Sequence, residues 1–306
     1  MRVFVAGATG VLGRGAVREL VAAGHEVRGA TRSEANAATL RALGAEPVTT
    51  DLFDARSVRR AVAGSEAVVH LATKIPAIMK MRSARAWAEN DRLRREATKN
   101  LVDGALAAGA KTFVVESVAF IYDDNGDRWV DENAPLKRTW VALDSTLDQE
   151  READRFAEGG GTTVILRFGL FYGPQAQSTI DSAKLARRRM LPVIGKGDNY
   201  FANIHVDDAA RAVTAALDAP SGVYNVVEDE PVTQAEYAAE FSKALGTPKS
   251  MRVPRWLGKL MLGGPANYIL MSRRVSNRKF KDATGWAPTY PSVREGFAQV
   301  GKEMAK

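Results

Sequence analysis

The sequence predicts an α/β protein: a doubly wound parallel sheet joined to a smaller, mixed C-terminal lobe. Three observations carry this. Short uninterrupted apolar runs such as "VFVAG" alternate with amphipathic stretches through the first half of the chain, as expected of strands buried on both faces and linked by crossover helices. A glycine-rich turn, "GATGVLGRG" from Gly7 to Gly15, separates the first run from the first amphipathic stretch. After Tyr172 the alternation gives way to prolines, basic residues and longer irregular stretches, which places a boundary between a sheet domain over 1–172 and a second lobe over 173–306.

In order, "VFVAG" is the first strand. Val11 to Ala23 is a helix with Leu12, Ala16, Leu20 and Ala23 on one face. "HEVRGATR" is the second strand, Glu34 to Leu43 a helix, "AEPVTTD" the third strand, and a helix follows Asp54. "SEAVVHLAT" is the fourth strand, Trp87 to Ala108 a single long helix, and "KTFVVES" the fifth strand. A helix from Ser145 to Ala157 leads to "TTVILRFG", the sixth. In the second lobe, helices are expected at Thr179–Arg189 and Thr233–Leu245, and "GVYNVV" is a strand able to rejoin the first sheet near 223–227.

Composition narrows the function. The 306 residues are 45% hydrophobic, enough for one composite core or two. With no cysteine there is no disulfide, thiolate nucleophile or sulfur-held zinc, and His25, His70 and His205 are too scattered for a metal site. The N-terminal stretch lacks a signal-peptide core, and no run of 18 apolar residues occurs. The expectation is a cytoplasmic protein with no membrane partner. Net charge is +7, and nine basic residues lie between Lys249 and Lys281 without one acidic residue. A solvated basic face and a surface for an anionic ligand both fit this; no nucleic-acid motif accompanies the charge. Trp256, Tyr268 and Arg273 in that lobe favour a ligand pocket.

The spacing Gly7, Gly10, Gly13 between a strand and a helix suits a tight turn that lets a pyrophosphate approach the helix N-terminus. The form "GATGVLG" resembles the extended branch of the short-chain dehydrogenase/reductase superfamily, the NAD(P)-dependent epimerase/dehydratase-like proteins with a Rossmann domain. "TDLFD", "VVHLAT", "ESVAFIY", "LRFGLFYGP", "NIHVDDAARA" and "SNRKFKDATGWAPTYPSVREGF" resemble its further markers in order, so the likeness spans the whole chain. It implies cofactor contacts from Gly7, Thr9, Gly10, Val11, Leu12, Gly13 and Arg14, from Asp51 and Leu52 at the adenine, and from Leu71, Ala72 and Thr73 along the dinucleotide. Phe168, Gly169 and Leu170 would lie beside the nicotinamide. A homodimer through the helices flanking strands four to six is a further implication.

The second strand ends "GATRS", with Arg32 where NAD-binding members carry an acid. A guanidinium suits a 2′-phosphate, so NADP is expected as cofactor, with NAD the alternative. The pattern breaks at the acid–base pair. Redox members carry Tyr-x-x-x-Lys before the sixth strand, the lysine lowering the phenol pKa so that it exchanges a proton with the substrate oxygen. Here that stretch reads "TWVALDSTLDQEREADRF", and none of the seven tyrosines has a lysine four residues later. Ser117 is the candidate to hold the substrate oxygen, Lys74 to supply a positive charge, and Tyr122 to act as a substitute acid. Tyr172, and Asp144 with Asp148, are lesser candidates for that acid, with packing or helix capping as their other reading. Three functions stay open: an oxidoreductase or epimerase acting on a small-molecule carbonyl or alcohol, a redox-neutral isomerase, cyclase or lyase using a bound dinucleotide, and a catalytically inactive NADP sensor.

Overall fold

The computed structural model describes residues 1–76, 80–81, 83–136, 143–263 and 269–305. Seven strands form the central sheet: β1 (Arg2–Ala6), β2 (Glu26–Thr31), β3 (Glu46–Thr49), β4 (Ala67–His70), β5 (Thr112–Val118), β6 (Thr162–Phe168) and β7 (Gly222–Val226). Their order is β7-β6-β5-β4-β1-β2-β3, with every neighbouring pair parallel. The run "GVYNVV" thus does rejoin the sheet, pairing from Gly222–Val164 to Val226–Phe168. Chain order reverses between β1 and β4, the switch point at which doubly wound sheets bind ligands beyond the carboxyl ends of their strands.

Helices α1 (Val11–Ala22), α2 (Glu34–Ala42) and α3 (Ala55–Val62) follow the first three strands. The expected long helix after β4 is interrupted. Helix α4 (Ala84–Arg92) passes through a π-helical turn, Leu93–Ala97, into α5 (Thr98–Ala108). Helix α6 (Asp144–Glu158) precedes β6. Leu12, Val17, Leu20 and Leu40 from α1 and α2 cover one face of the sheet. Val58, Leu101, Val102, Ala153 and Phe156 from α3, α5 and α6 cover the other. The inner strands β1 and β4 are apolar on both faces because both are roofed by helices.

The second lobe is stitched into the first. Helix α7 (Gln177–Arg187) and α8 (Val206–Ala215) flank short strand pairs, and α8 returns to pack on α1 beneath the sheet. Helix α9 (Gln234–Ala244) and α12 (Val293–Met304) close a smaller core with Tyr172, Phe241 and Phe297, and each begins with a capping box. Between them lie α10 (Arg255–Leu262) and α11 (Arg278–Thr284). Buried Asp208 on α8 accepts the backbone N–H groups of Thr289 (2.9 Å) and Tyr290 (3.0 Å), tying the C-terminal segment to the sheet. No described helix is long and apolar enough to cross a membrane.

Candidate active site

The glycine turn follows β1 at the switch point, and its three glycines do different work. Gly7 has φ +83°, and a Cβ there would lie 2.5 Å from the Ala72 nitrogen beyond β4. A Cβ on Gly13 would lie 2.0 Å from the Gly7 carbonyl oxygen. Both positions are closed to side chains by the protein itself. Gly10 is far less crowded: a Cβ there would meet only the Gly7 carbonyl, at 3.3 Å, which would have to yield by a few tenths of an ångström. Gly10 caps α1 without a side chain, no acid occupies the first turn, and Val11 is exposed. The free N–H groups and the positive end of α1 therefore face open space, as a pyrophosphate requires. Leu12 turns into the core. Arg14 donates from Nε to the Thr9 carbonyl (3.1 Å), which lays a cation along the turn.

The same edge continues across the sheet. Arg32 is exposed just past β2 and makes no ion pair among the described residues. It borders a depression lined by Thr31, Ser33, Arg41 and Thr49, where Arg41 is already paired with Glu34 at 2.6 Å. Asp51 is exposed beyond β3 and accepts from the Phe53 N–H (3.0 Å); Leu52 packs beneath it on the α3/α5 core. Leu71, Ala72 and Thr73 run past the glycine turn, with Leu71 N–H donating to the Ala6 carbonyl (2.8 Å). His70 anchors this segment. Burial lowers its pKa to about 4, so it is neutral: Nδ1 accepts the Ala72 N–H, and Nε2 reaches the Leu93 carbonyl of the π-helical turn. Lys74 lies exposed at the end of the segment, its backbone N–H on Asn90 Oδ1 (3.0 Å) and its ammonium without an ion pair among the described residues.

Beyond β5 and β6 the picture changes. Ser117 has no exposed surface, and its hydroxyl donates to Glu150 Oε1 on α6 (2.5 Å). The Glu150 carboxylate also receives Arg167 of β6 through Nε (3.0 Å) and Nη2 (2.7 Å). Arg167 Nη1 donates to the Tyr122 hydroxyl (2.9 Å), which donates to Asn225 Oδ1 of β7 (2.7 Å). Burial pushes the Tyr122 pKa up to about 12, against the pull of the Arg167 charge. Ser117 and Tyr122 are therefore placed inside the protein, not on the crevice wall where the sequence put them. For Ser117 strand alternation is the reason: Val118, one residue on, is the half-buried residue that turns the other way.

The remaining candidates are also committed. Tyr172 is buried, donates to Glu228 Oε1 (2.5 Å), and has its pKa raised by burial and by that carboxylate. Asp148 pairs with Arg95 (2.6 Å) and Arg151 at the surface of α6. The Phe168 side chain is in the core, Gly169 is buried against the backbone of Ala202 and Asn203, and Leu170 is exposed beside them. Arg273 is buried and donates from Nε to the Tyr122 carbonyl (2.8 Å), Trp256 is exposed, and Tyr268 lies outside the described residues. Sequence reading missed Glu150, Arg167 and Asn225; the signal was a charge inside the apolar run "TTVILRFG". It also missed Glu116, a buried carboxyl whose pKa burial pushes up to about 7 against the nearby Arg94. Among the described residues no cluster could hold a metal ion.

Comparison with known proteins agrees with this arrangement. The profile of the NAD dependent epimerase/dehydratase family matches residues 3–227. A "3-diazoavenalumate denitrifying reductase" of a Streptomyces species is 34% identical over 98% of this chain and 100% of its own length. A "2-alkyl-3-oxoalkanoate reductase" of Shewanella oneidensis is 29% identical, over 83% of this chain and 69% of its own. Among solved structures, human epimerase family protein SDR39U1 with NADPH superposes with TM-score 0.81 at 23% identity, covering 99% of both chains. UDP-glucose 4-epimerase of Thermotoga maritima with UDP-glucose does so with TM-score 0.82 at 19% identity, over 100% of this chain and 99% of its own. With its switch-point glycine turn and seven-stranded parallel sheet, the chain belongs to the NAD-dependent epimerase/dehydratase family, a nicotinamide-dinucleotide oxidoreductase- or epimerase-type branch of the extended short-chain dehydrogenases/reductases.

Proposed function

We propose that this protein is an NADPH-dependent reductase of an activated small-molecule acceptor, one that accepts a hydride without needing a proton from the protein. An aromatic diazo group that leaves as N2 is the acceptor class we favour. The observation that carries the reading is the missing tyrosine–lysine pair. No tyrosine in the sequence has a lysine four residues later, and the hydroxyls of Ser117, Tyr122 and Tyr172 are spent on Glu150, Asn225 and Glu228. A positioned general acid contributes about 10²–10⁴-fold to a ketone reduction, a contribution this crevice forgoes. When bound, the dinucleotide supplies a hydride, and an aryl diazonium that takes it releases N2, so charge and atoms balance with no proton delivered. The name of the Streptomyces relative supports this class.

In this reading the turn from Gly7 to Arg14 holds the pyrophosphate and Asp51 the adenosine side. Arg32 and the Ser33 hydroxyl hold the 2′-phosphate. Lys74 faces an anionic group of the substrate. Ser117 and Tyr122 act as positioning residues that hold the floor of the crevice in place. The test is NADPH consumption with an aryl diazonium and with an aromatic ketone, each corrected for the protein-free rate. The diazonium should be turned over to the arene and the ketone left unchanged. Comparable reduction of the ketone would overturn the reading.

A further inference from the structure

The basic stretch of the second lobe forms an amphipathic surface that neither the dinucleotide crevice nor the core uses. Helix α10 rests on the lobe through Gly258, whose missing side chain makes room for Ile194. Its outer face carries Trp256 and Leu260, four residues apart and so on one side of the helix, 68% and 67% exposed. Met251 (58% exposed) and Met190 (61% exposed) precede the two short strands on which this helix rests. The two segments are joined by the pairing of Val193–Ile194 with Arg252–Val253, the Val193 N–H donating to the Met251 carbonyl at 2.8 Å, and by Ile194 lying against Gly258 of α10. Large apolar side chains this exposed, carried on segments paired with one another, are the raw material of an interaction surface.

Cations ring them. Arg187, Arg188, Arg189, Arg252, Arg255 and Lys259 are all exposed. Nearby Lys184 and Lys243 are neutralised by Asp181 and Glu240, whereas none of these six makes an ion pair among the described residues. Arg189 has φ +58°, a conformation that favours glycine, yet the arginine stands there and Met190 follows it into solvent.

We propose that this face docks peripherally on an anionic lipid surface, with Trp256, Leu260, Met190 and Met251 entering the headgroup boundary and the ring of cations meeting the phosphates. Protruding apolar side chains surrounded by long, flexible cations are the features of an interfacial helix. Each cation close to an anionic leaflet strengthens partitioning roughly fivefold, an attraction that salt screens. The contact is with one leaflet only, since no described helix can span a bilayer.

The experiment is co-sedimentation of the full chain with vesicles of phosphatidylcholine alone or with about one third phosphatidylglycerol, at low and high salt, with polyglutamate as a competing acidic polypeptide. The expected result is binding to the anionic vesicles only, weakened by salt, with a blue shift of tryptophan emission. Arg188→Glu with Arg252→Glu should lower binding at least tenfold, and Trp256→Ser with Leu260→Ser should abolish the blue shift. NADPH affinity, measured on the same samples, should be unchanged in both and so report an intact fold. The proposal is overturned by failure to bind anionic vesicles at low salt, by equal binding to neutral ones, or by full binding in variants that still hold NADPH. Capture by polyglutamate with no sedimentation would instead assign the face to an acidic protein.

Discussion

The two halves of the sheet's carboxyl edge are built on opposite plans. From β3 across β2 and β1 to β4, the edge is open: a glycine turn, a bare helix N-terminus, and the exposed side chains of Arg14, Arg32, Asp51 and Lys74. From β5 to β7 it is closed: Ser117, Glu150, Arg167, Tyr122 and Asn225 bond one another in a buried chain. An open edge keeps its hydrogen-bonding capacity for a ligand. A closed one has spent it on holding three strands and a helix in register, since buried polar groups must be paired. Redox relatives with a tyrosine–lysine pair would need the second edge to be as available as the first; here only the first is.

Gly10→Val tests the open edge most severely. The side chain presses on one backbone oxygen, which must shift by a few tenths of an ångström, and fills the space a pyrophosphate needs, so calorimetry should detect no NADPH binding while circular dichroism reports a folded chain. Normal binding would reduce the turn to a mere turn. Gly13→Val, whose Cβ would collide with the Gly7 carbonyl, should lose the fold as well.

Arg167→Met tests the closed edge. It leaves the Glu150 carboxylate buried without its partner, a loss of about 3–5 kcal/mol in denaturant unfolding. NADPH affinity of the folded fraction should barely change, and a large loss of affinity would show that the two edges are coupled.

Ser117→Ala sharpens the assignment of that residue. Losing a hydrogen bond to a charged group costs about 1.5–3 kcal/mol of stability, with turnover by the folded enzyme little affected. A tenfold fall in turnover at unchanged stability would return Ser117 to the substrate oxygen. Arg32→Ala, on the open side, should reduce the preference for NADPH over NADH by about 1.5–3 kcal/mol, roughly ten- to a hundred-fold. Equal affinities in the parent protein would exclude the 2′-phosphate contact.

The smallest expected effect is pH-linked. Burial raises the Glu228 pKa to about 8, against the downward pull of its hydrogen bond from Tyr172. The folded state then binds a proton that the unfolded state has released. Stability from this group is complete below the unfolded carboxyl range and declines as pH rises toward 8, by at most about 1.4 kcal/mol per pH unit. Glu228→Gln should flatten that decline in unfolding measured between pH 5.5 and 8.5. An unchanged slope would assign the dependence to another group, with Glu116 the next to test.

Much of the open edge was legible in the sequence. Arg32 after β2, the Gly7–Gly13 spacing and the segment Leu71–Thr73 each follow a strand directly, so their position depends only on where that strand ends. The return of "GVYNVV" to the sheet was legible for the same reason, being a short apolar run with strand composition. The interruption of the helix after β4 was not, because a π-helical turn leaves the apolar periodicity of "WAENDRLRREATKNLVDGALAA" almost unaltered.

By itself the sequence determined the alternation of elements, the parallel sheet, the glycine turn and the absence of a tyrosine–lysine pair, all properties of residues adjacent or a helical turn apart. The tertiary structure alone decided what Ser117 and Tyr122 are for. Their partners Glu150 and Asn225 lie 33 and 103 residues away in the chain, and which way Ser117 faces depends on the pleat of β5 against α6. It also decided that the segment after Met190 pairs with the segment after Met251, far apart in sequence, leaving both methionines exposed. Local spacing sets what a segment can become; only packing sets whether its polar groups are left over for chemistry.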